Sequence, residues 1–390
     1  MLSFSRAFFD EKSDTLERHK KYAQWLRRRY PDGGLTVLVR VPKNSQEEKI
    51  RVYDTLNIYA VPCARWRFYF AAKKAIKELV SNGQRFDLIT TQTPFDDGLV
   101  GVWAKKKYGM SFNAQMRSSF LDVPNWLAER PVLNRIFNFI GKFVSHRADT
   151  IRVISFGERE RLERRFPELR GKIDVLHPYI QLSSRAEVAE GDRSRGISLD
   201  WPYFLFVGRL VVEKNLPFLL RAFQQFTTPG VVNCKLVMVG EGPLRTKLEK
   251  LAGQLGISDR VVWLGKRSLA ELRELYGGAV ATILPSFYEG FGKVIAESSL
   301  MGTPCVVTPF IPAKELVLDG KTGVVLESFN NENELAEKMR YLLENQDVTK
   351  KMGEEARRHI GNYLLSEEEY AKRLVEIWKG TTLLSSRKSP

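Results

Sequence analysis

The sequence predicts an α/β protein built from two doubly wound domains, and three observations carry that expectation. At 390 residues the chain is long enough for two domains that each bury a core. Short apolar runs of strand length alternate with amphipathic stretches of helix length, the pattern of parallel sheets covered by helices on both faces. The series also pauses and restarts. Residues 183–200 are polar and charged with little apolar periodicity, and a second series follows them. The expected organisation is residues 1–182, a linker at 183–200, a second domain at 201–363 and a helical tail at 364–390.

In the first half, residues 2–5 read as a short strand and 15–29 as an amphipathic helix. The turn Pro31-Asp32-Gly33-Gly34 then leads into a strand at Leu35–Val41. Residues 67–81 and 97–108 follow as helices, with strands at 86–91, 112–116 and 150–154. In the second half the strands are Tyr203–Val207, Lys235–Val239, 261–263, Ala281–Leu284 and 304–308. Helices fill the gaps at 216–225, 244–255, 268–276, 293–301 and Glu332–Glu344. Ser366 and Glu369 have capping-box spacing at the start of a tail helix over 366–380. Sheets of this kind bind ligands outside the carboxyl ends of their strands, so a cleft between the two domains is the expected site.

Composition narrows the class. The 43% apolar fraction is that of a soluble globular protein, and no run of 18 apolar residues exists to span a bilayer. The opening Met1-Leu2-Ser3-Phe4-Ser5-Arg6 is too short for a secretory signal. Cys63, Cys234 and Cys305 lack CxxC spacing and fit reduced core residues in a cytoplasm. The net charge of +15 is unevenly placed: residues 1–178 carry +13 and the rest +2. The first half is therefore expected to meet something anionic, either head groups, a phosphorylated acceptor or nucleic acid.

Chemistry concentrates at residues 285–297, Pro-Ser-Phe-Tyr-Glu-Gly-Phe-Gly-Lys-Val-Ile-Ala-Glu. A glycine-rich turn feeding a helix N-terminus presents backbone N–H groups and a positive dipole end, which suits a phosphate. Glu289 and Glu297 flank that turn and can accept hydrogen bonds from hydroxyls. Phosphate plus polyol describes a nucleotide sugar. Upstream, Gly208-Arg209 closes a strand and Lys214 precedes a helix, so two cations sit at the carboxyl end of the sheet. Fixed cations there can stabilise a departing diphosphate without a metal. Each motif alone is compatible with a solvated loop. The ordered set is not: Gly-Arg-x4-Lys, Val239-Gly240-Glu241-Gly242-Pro243-Leu244, Trp263-Leu264-Gly265, then Glu289 and Glu297 with seven residues between them.

With these motifs the chain resembles glycosyltransferase family 4, retaining enzymes of the GT-B fold. The resemblance is specific over residues 150–345 and covers the first half only in outline. It implies that Arg209 and Lys214 hold the donor diphosphate and that Glu289 contacts the transferred sugar. Gly290, Phe291 and Gly292 would offer backbone N–H groups, and Lys293 and Val294 would begin the phosphate-facing helix. Glu297 would accept from the ribose, and Gly265, Lys266 and Arg267 would line the base pocket, with Gly208 at the strand end. The resemblance also implies a tail helix that crosses back to the first domain, and retention through front-face attack. Neither a metal nor a cofactor is expected, the nucleoside-diphosphate sugar being a co-substrate. The four histidines (His19, His146, His177, His359) form no ligand pattern.

The first half departs from the family twice. Where relatives have a Gly-Gly loop, this chain reads Arg6-Ala7-Phe8-Phe9-Asp10-Glu11, and where they have a histidine it has Arg117. An arginine cannot accept a proton at neutral pH but can hold a phosphate or a sugar hydroxyl. Arg117 is therefore expected to orient an anionic acceptor or the donor phosphate. Residues 65–74 and 126–147 mix aromatic, aliphatic and basic residues. Two readings stay open for them, a face for an anionic membrane and ordinary core packing beneath a solvated basic face. No nucleic-acid-binding module is recognisable.

The expected function is transfer of a sugar to a glycan or lipid-linked acceptor in cell-surface polysaccharide assembly. The expected location is the cytoplasm, peripheral on the inner membrane face. A non-catalytic sugar-nucleotide-binding scaffold and a GT-B nucleotide-sugar epimerase are the alternatives.

Overall fold

A computed structural model describes residues 1–180, 199–227 and 233–386. Residues 183–198 of the expected linker lie outside the described residues. The chain divides into two compact units, Met1–Tyr179 with the tail from Leu365, and Ile180–Leu364.

Unit 1 runs β1 (Leu2–Ser3), α1 (Asp14–Arg29), β2 (Leu35–Val41), β3 (Ile50–Tyr53), β4 (Leu56–Pro62), α2 (Phe68–Ser81) and β5 (Leu88–Thr91). It continues with α3 (Asp96–Tyr108), β6 (Ser111–Met116), α4 (Pro124–Glu129), α5 (Pro131–Arg147), β7 (Thr150–Val153), α6 (Phe156–Arg165) and β8 (Ile173–Val175). Two four-stranded sheets result, ordered β1-β2-β4-β3 and β5-β6-β7-β8. The expectation of wholly parallel strands needs one correction, because β3 pairs antiparallel to β4. That edge strand alternates exposed and half-buried residues, so it lacks the continuous apolar run that marked the others.

Helix α1 begins with the Ser13 hydroxyl accepting from the Leu16 amide, has Asp14 and Glu17 in its first turn, and ends on Arg27, Arg28 and Arg29. Both ends complement the helix dipole. Its Leu16, Tyr22 and Ala23 share a core with β2, β4 and the tail. Phe8 and Phe9, in the segment where the family resemblance predicts a Gly-Gly loop, are buried in that core.

Unit 2 contains β9 (Tyr203–Val207), α7 (Leu216–Thr227), β10 (Lys235–Val239), α8 (Arg245–Gln254), β11 (Val261–Gly265), α9 (Leu269–Gly278) and β12 (Ala281–Leu284). It ends with α10 (Lys293–Leu300), β13 (Cys305–Val307), α11 (Ala313–Leu316), β14 (Gly323–Val325), α12 (Glu332–Glu344) and α13 (Gln346–Gly361). The sheet order is β11-β10-β9-β12-β13-β14, parallel throughout. The chain therefore builds outward from β9 to β11, returns to the other side of β9, and builds outward again. The strand order reverses between β9 and β12, and in such sheets ligands bind outside the strand ends at that point. Every residue of β9 is buried, as a central strand covered on both faces requires.

The last helix, α14 (Glu367–Ser386), belongs to unit 1. Ser366 and Glu369 form a reciprocal cap, with the Ser366 amide donating to Glu369 Oε2 at 2.9 Å and the Glu369 amide to Ser366 Oγ at 3.1 Å. Tyr370, Ala371, Leu374, Val375 and Trp378 bury its apolar face beside α1.

Candidate active site

The loops after β9, β10 and β11 are held together by their backbones. The Gly208 amide donates to the Val239 carbonyl at 2.9 Å, the Gly240 amide to the Gly265 carbonyl at 2.8 Å, and the Leu210 amide to the Glu241 carbonyl at 2.9 Å. Glycine is required at 240. Its φ is +129°, and a Cβ there would lie 1.9 Å from the Gly208 carbonyl oxygen. These contacts place Gly208 and Gly265 on either side of Gly240 at the strand ends, although 57 positions separate them in sequence.

The β9 and β12 loops meet at the switch point. Lys214 Nζ donates to Glu289 Oε1, and Ser286 Oγ donates to the same oxygen at 2.7 Å. Both ion-pair partners are mostly buried, with side-chain exposures of 13% and 14%, so the lysine is fixed rather than waving in solvent. The Phe287 amide donates to the Glu213 carbonyl at 2.9 Å, a second tie between the same loops. Asn215, at φ +48°, turns the chain into α7 and its Nδ2 donates to the Phe329 carbonyl at 2.8 Å. Arg209 lies beside this cluster in sequence, but its side chain is 75% exposed and reaches Glu213 Oε1 at 2.6 Å.

Gly292 caps α10 at φ +85°, a conformation that favours glycine, and Phe291 is buried next to it. Gly290 and Val294 are half-buried, whereas Lys293 is exposed. One turn into the helix, Glu297 Oε2 accepts from the buried Tyr276 hydroxyl at 2.8 Å. Burial raises the Glu297 pKa above the ordinary carboxylate value, opposed by the Tyr276 hydrogen bond and by Lys293. Lys266 is exposed and reaches Glu241 at 3.7 Å, while Arg267 Nη1 reaches Glu271 at 3.5 Å. The structure thus brings Lys214, Glu289 and the Gly292 cap to neighbouring strand ends. Lys266 and Arg267 instead pair with nearby glutamates on the β10 loop and α9.

Arg117 lies in unit 1, just beyond β6, and lines a cavity of about 150 Å³. Sequence reasoning missed Ser286, Tyr276, and the side chains that share the cavity with Arg117. Ser286 stood in the quoted motif and could have been suspected. Nothing flagged Tyr276, which sits 21 positions from Glu297 on a different helix. Among the described residues no group of three His, Cys, Asp or Glu could hold a metal ion, and no helix is long and apolar enough to cross a membrane.

A six-stranded parallel sheet with its helices and a strand-order switch point is that of a GT-B-fold glycosyltransferase domain. Family models agree: residues 189–359 match glycosyl transferases group 1 and residues 20–184 match glycosyltransferase family 4. The chain belongs to glycosyltransferase family 4.

Among its relatives is the alpha-D-kanosaminyltransferase of Streptomyces kanamyceticus, 34% identical over 40% of this chain and 40% of that protein. The D-inositol 3-phosphate glycosyltransferase of Corynebacterium urealyticum is 31% identical over 60% of this chain and 57% of that protein. The match thus spans well under two thirds of the length of these relatives. In fold, the chain is similar to sucrose-phosphate synthase from Thermosynechococcus elongatus, with a TM-score of 0.74, 18% identity and coverage of 97% and 98%. It is also similar to Anabaena HepE in complex with UDP-glucose, with a TM-score of 0.68, 16% identity and coverage of 97% and 99%.

Proposed function

We propose that this chain is a retaining, metal-independent glycosyltransferase. It takes a hexose-type sugar from a nucleoside diphosphate and delivers it to a glycan or lipid-linked acceptor in cell-surface polysaccharide assembly. The observation that carries the reading is the Lys214–Glu289–Ser286 cluster at the switch point of unit 2, beside the Gly292 helix cap. The kanosaminyl and inositol-phosphate transferases among the relatives support the glycosyl-transfer part of this reading.

In this reading Lys214 and Arg209 receive the donor diphosphate, and the first amides of α10 face its oxygens. The bond between the anomeric carbon and the phosphate oxygen breaks, and its electron pair stays on the diphosphate. Lys214 stabilises that charge without reorganising, because Glu289 already fixes its position. The acceptor hydroxyl oxygen bonds to the anomeric carbon on the same face. Its proton passes to the departing phosphate oxygen, which balances the step and retains configuration. Glu289 also accepts from sugar hydroxyls, Glu297 accepts from the ribose, and Gly265, Lys266 and Arg267 border the base.

The membrane part of the proposal rests on α5. This helix buries Asn134 and Asn138, whose amides donate to the Trp126 carbonyl at 2.6 Å and to Asp122 Oδ1 at 2.8 Å. Its exposed face carries Val132, Ile136 and Phe139 with Arg135. Val144, Ile140 and Phe143 pack into the core, and the apolar residues left on the outer face beside Arg135 favour an interfacial role for that face. Exposed Trp66 and Phe70, with Arg67 stacked 4.5 Å from the Trp66 ring, have the same character. The basic excess of the first half suits anionic head groups.

A thermal-shift screen of UDP-, GDP- and ADP-sugars tests the donor reading. One base should stabilise the protein by about 2.7 kcal/mol at 100 times its dissociation constant. No shift with any of the three would overturn it.

A further inference from the structure

Unit 1 contains a polar cavity that the transfer chemistry above does not use. It lies where α1, the strand ends of β5 to β7 and the tail helix α14 meet, and its volume is about 150 Å³. At about 30 Å³ per water molecule, that is room for roughly five waters, or for one phosphate group with a few attached atoms.

Three arginines line it: Arg18 from α1, Arg117 beyond β6 and Arg152 from β7. Arg152 is 5% exposed, so its charge is held inside the fold. Its Nη1 donates to the Tyr370 hydroxyl at 2.9 Å and its Nη2 to Gln115 Oε1 at 2.7 Å, both uncharged partners. Its Nε is buried with no hydrogen-bond partner, as is the indole N–H of Trp378, which also lines the cavity. Among the described residues no carboxylate lies within ion-pair distance of any of the three guanidinium groups. Among the described residues their mutual repulsion is therefore uncompensated. An isolated buried charge of this kind needs a counter-charge from somewhere.

The surrounding groups respond to that field. Arg117 is exposed at the rim of the cavity, and desolvation by the surrounding protein first, then Arg152, push its pKa down. Burial raises the Tyr370 phenol, yet Arg152, Arg117 and Arg18 outweigh it and bring the pKa below the ordinary value. His19 is pushed down to about 3, by burial first and by Arg18 and Arg117 as well, so it is neutral at pH 7. Its Nδ1 lies 2.6 Å from the Thr15 carbonyl oxygen, to which a neutral ring donates, leaving Nε2 as an acceptor.

We infer that this cavity is a binding site for a phosphate group, with Arg18, Arg117 and Arg152 as its cationic walls and the tail helix as its lid. Phosphate fits the chemistry because guanidinium groups pair with its oxygens in a planar fork and several donors can share one dianion. The Thr15 and Ser5 hydroxyls supply neutral donors at the same wall. The phosphate comes either as the free ion or as an ester on the sugar acceptor. The second source rests on the transferase reading above, whereas binding of the ion itself does not.

Calorimetric titration of the full-length protein with inorganic phosphate, against sodium chloride at matched ionic strength, reads the site directly. Wild type should bind phosphate, Arg117→Gln should weaken it about 10-fold to 100-fold, and Arg117→Lys should recover part of the loss. Lys350→Ala, an exposed residue of α13 in the other unit, should bind phosphate as wild type does. Arg152→Gln is the harsher variant, and its folding is checked by circular dichroism. Arg117→Gln needs no such buried change. Glucose 6-phosphate binding more tightly than phosphate, with glucose not binding, would assign an ester as the source, while equal affinities would assign the free ion. Wild type without phosphate binding, or an Arg117→Gln variant with wild-type affinity, overturns the site. Neither result bears on donor binding by unit 2, which the nucleotide-sugar screen reads separately.

Discussion

Unit 2 pairs its key cation with a carboxylate, whereas in unit 1 three arginines line one cavity with no carboxylate among the described residues within ion-pair distance. Lys214 is mostly buried against Glu289, so its position is set before any ligand arrives and its desolvation is offset internally. A diphosphate reaching it shares an existing charge pair. Arg152 is more deeply buried and hydrogen-bonds only to Tyr370 and Gln115. There no described residue supplies the counter-charge, which a bound anion would provide. The contrast separates a site organised to stabilise developing charge from one organised to capture charge that a ligand already carries.

The largest effect should come from breaking the internal pair. Lys214→Ala is expected to lower the transfer rate about 10²-fold to 10³-fold, as removal of one preorganised donor does. A turnover assay showing less than a threefold loss would erase the distinction between the two regions.

A smaller effect concerns a fully paired carboxylate in unit 1. Asp122 contacts Lys142 Nζ at 2.6 Å, Arg165 Nε at 3.0 Å and Asn138 Nδ2 at 2.8 Å. Burial opposes ionisation, but Lys142, Asn138 and Arg165 outweigh it and hold the pKa at about 2, below the ordinary 3.8. The folded state thus prefers the ionised form. The resulting stability is present above about pH 4 and fades as pH falls toward 2. Urea midpoints should separate wild type from Asp122→Asn at pH 7 and converge near pH 2. A gap that persisted in acid would show that the pairing is not what stabilises this turn.

The smallest effect on folding should come from the α5 face. Ile136→Glu with Phe139→Glu should change stability by no more than about 0.5 kcal/mol per site, because both side chains are exposed. The same pair should abolish flotation with anionic vesicles. Large destabilisation would show that these residues pack in a core, and unchanged flotation would remove the membrane reading.

Unit 2 was far more legible in the sequence than unit 1, for physical reasons. Its central strands are buried on both faces and read as continuous apolar runs, and its site residues cluster in short turns at strand ends. Even so, the Lys214–Glu289 pairing joins residues 75 positions apart, and only the strand order brings them together. In unit 1 the exposed edge strand β3 gave no apolar run. Arg152 sits in Thr-Ile-Arg-Val, which reads as an ordinary strand, and its partner Tyr370 comes from a helix 218 positions later. Arg18 stands in a run of basic residues on α1 that reads as a solvated face. Arg117 was noticed only because a resemblance expected a histidine there. A charge cluster assembled from four separate elements leaves no local pattern.

The most direct test of the central claim is Glu289→Ala, assayed for both transfer and nucleotide-sugar affinity. The account predicts that transfer is abolished while nucleotide-sugar affinity is retained or strengthened, since Lys214 keeps its charge and loses its internal competitor. Normal transfer by this variant, or loss of nucleotide-sugar binding in a correctly folded protein, would contradict the role assigned to the paired lysine and glutamate.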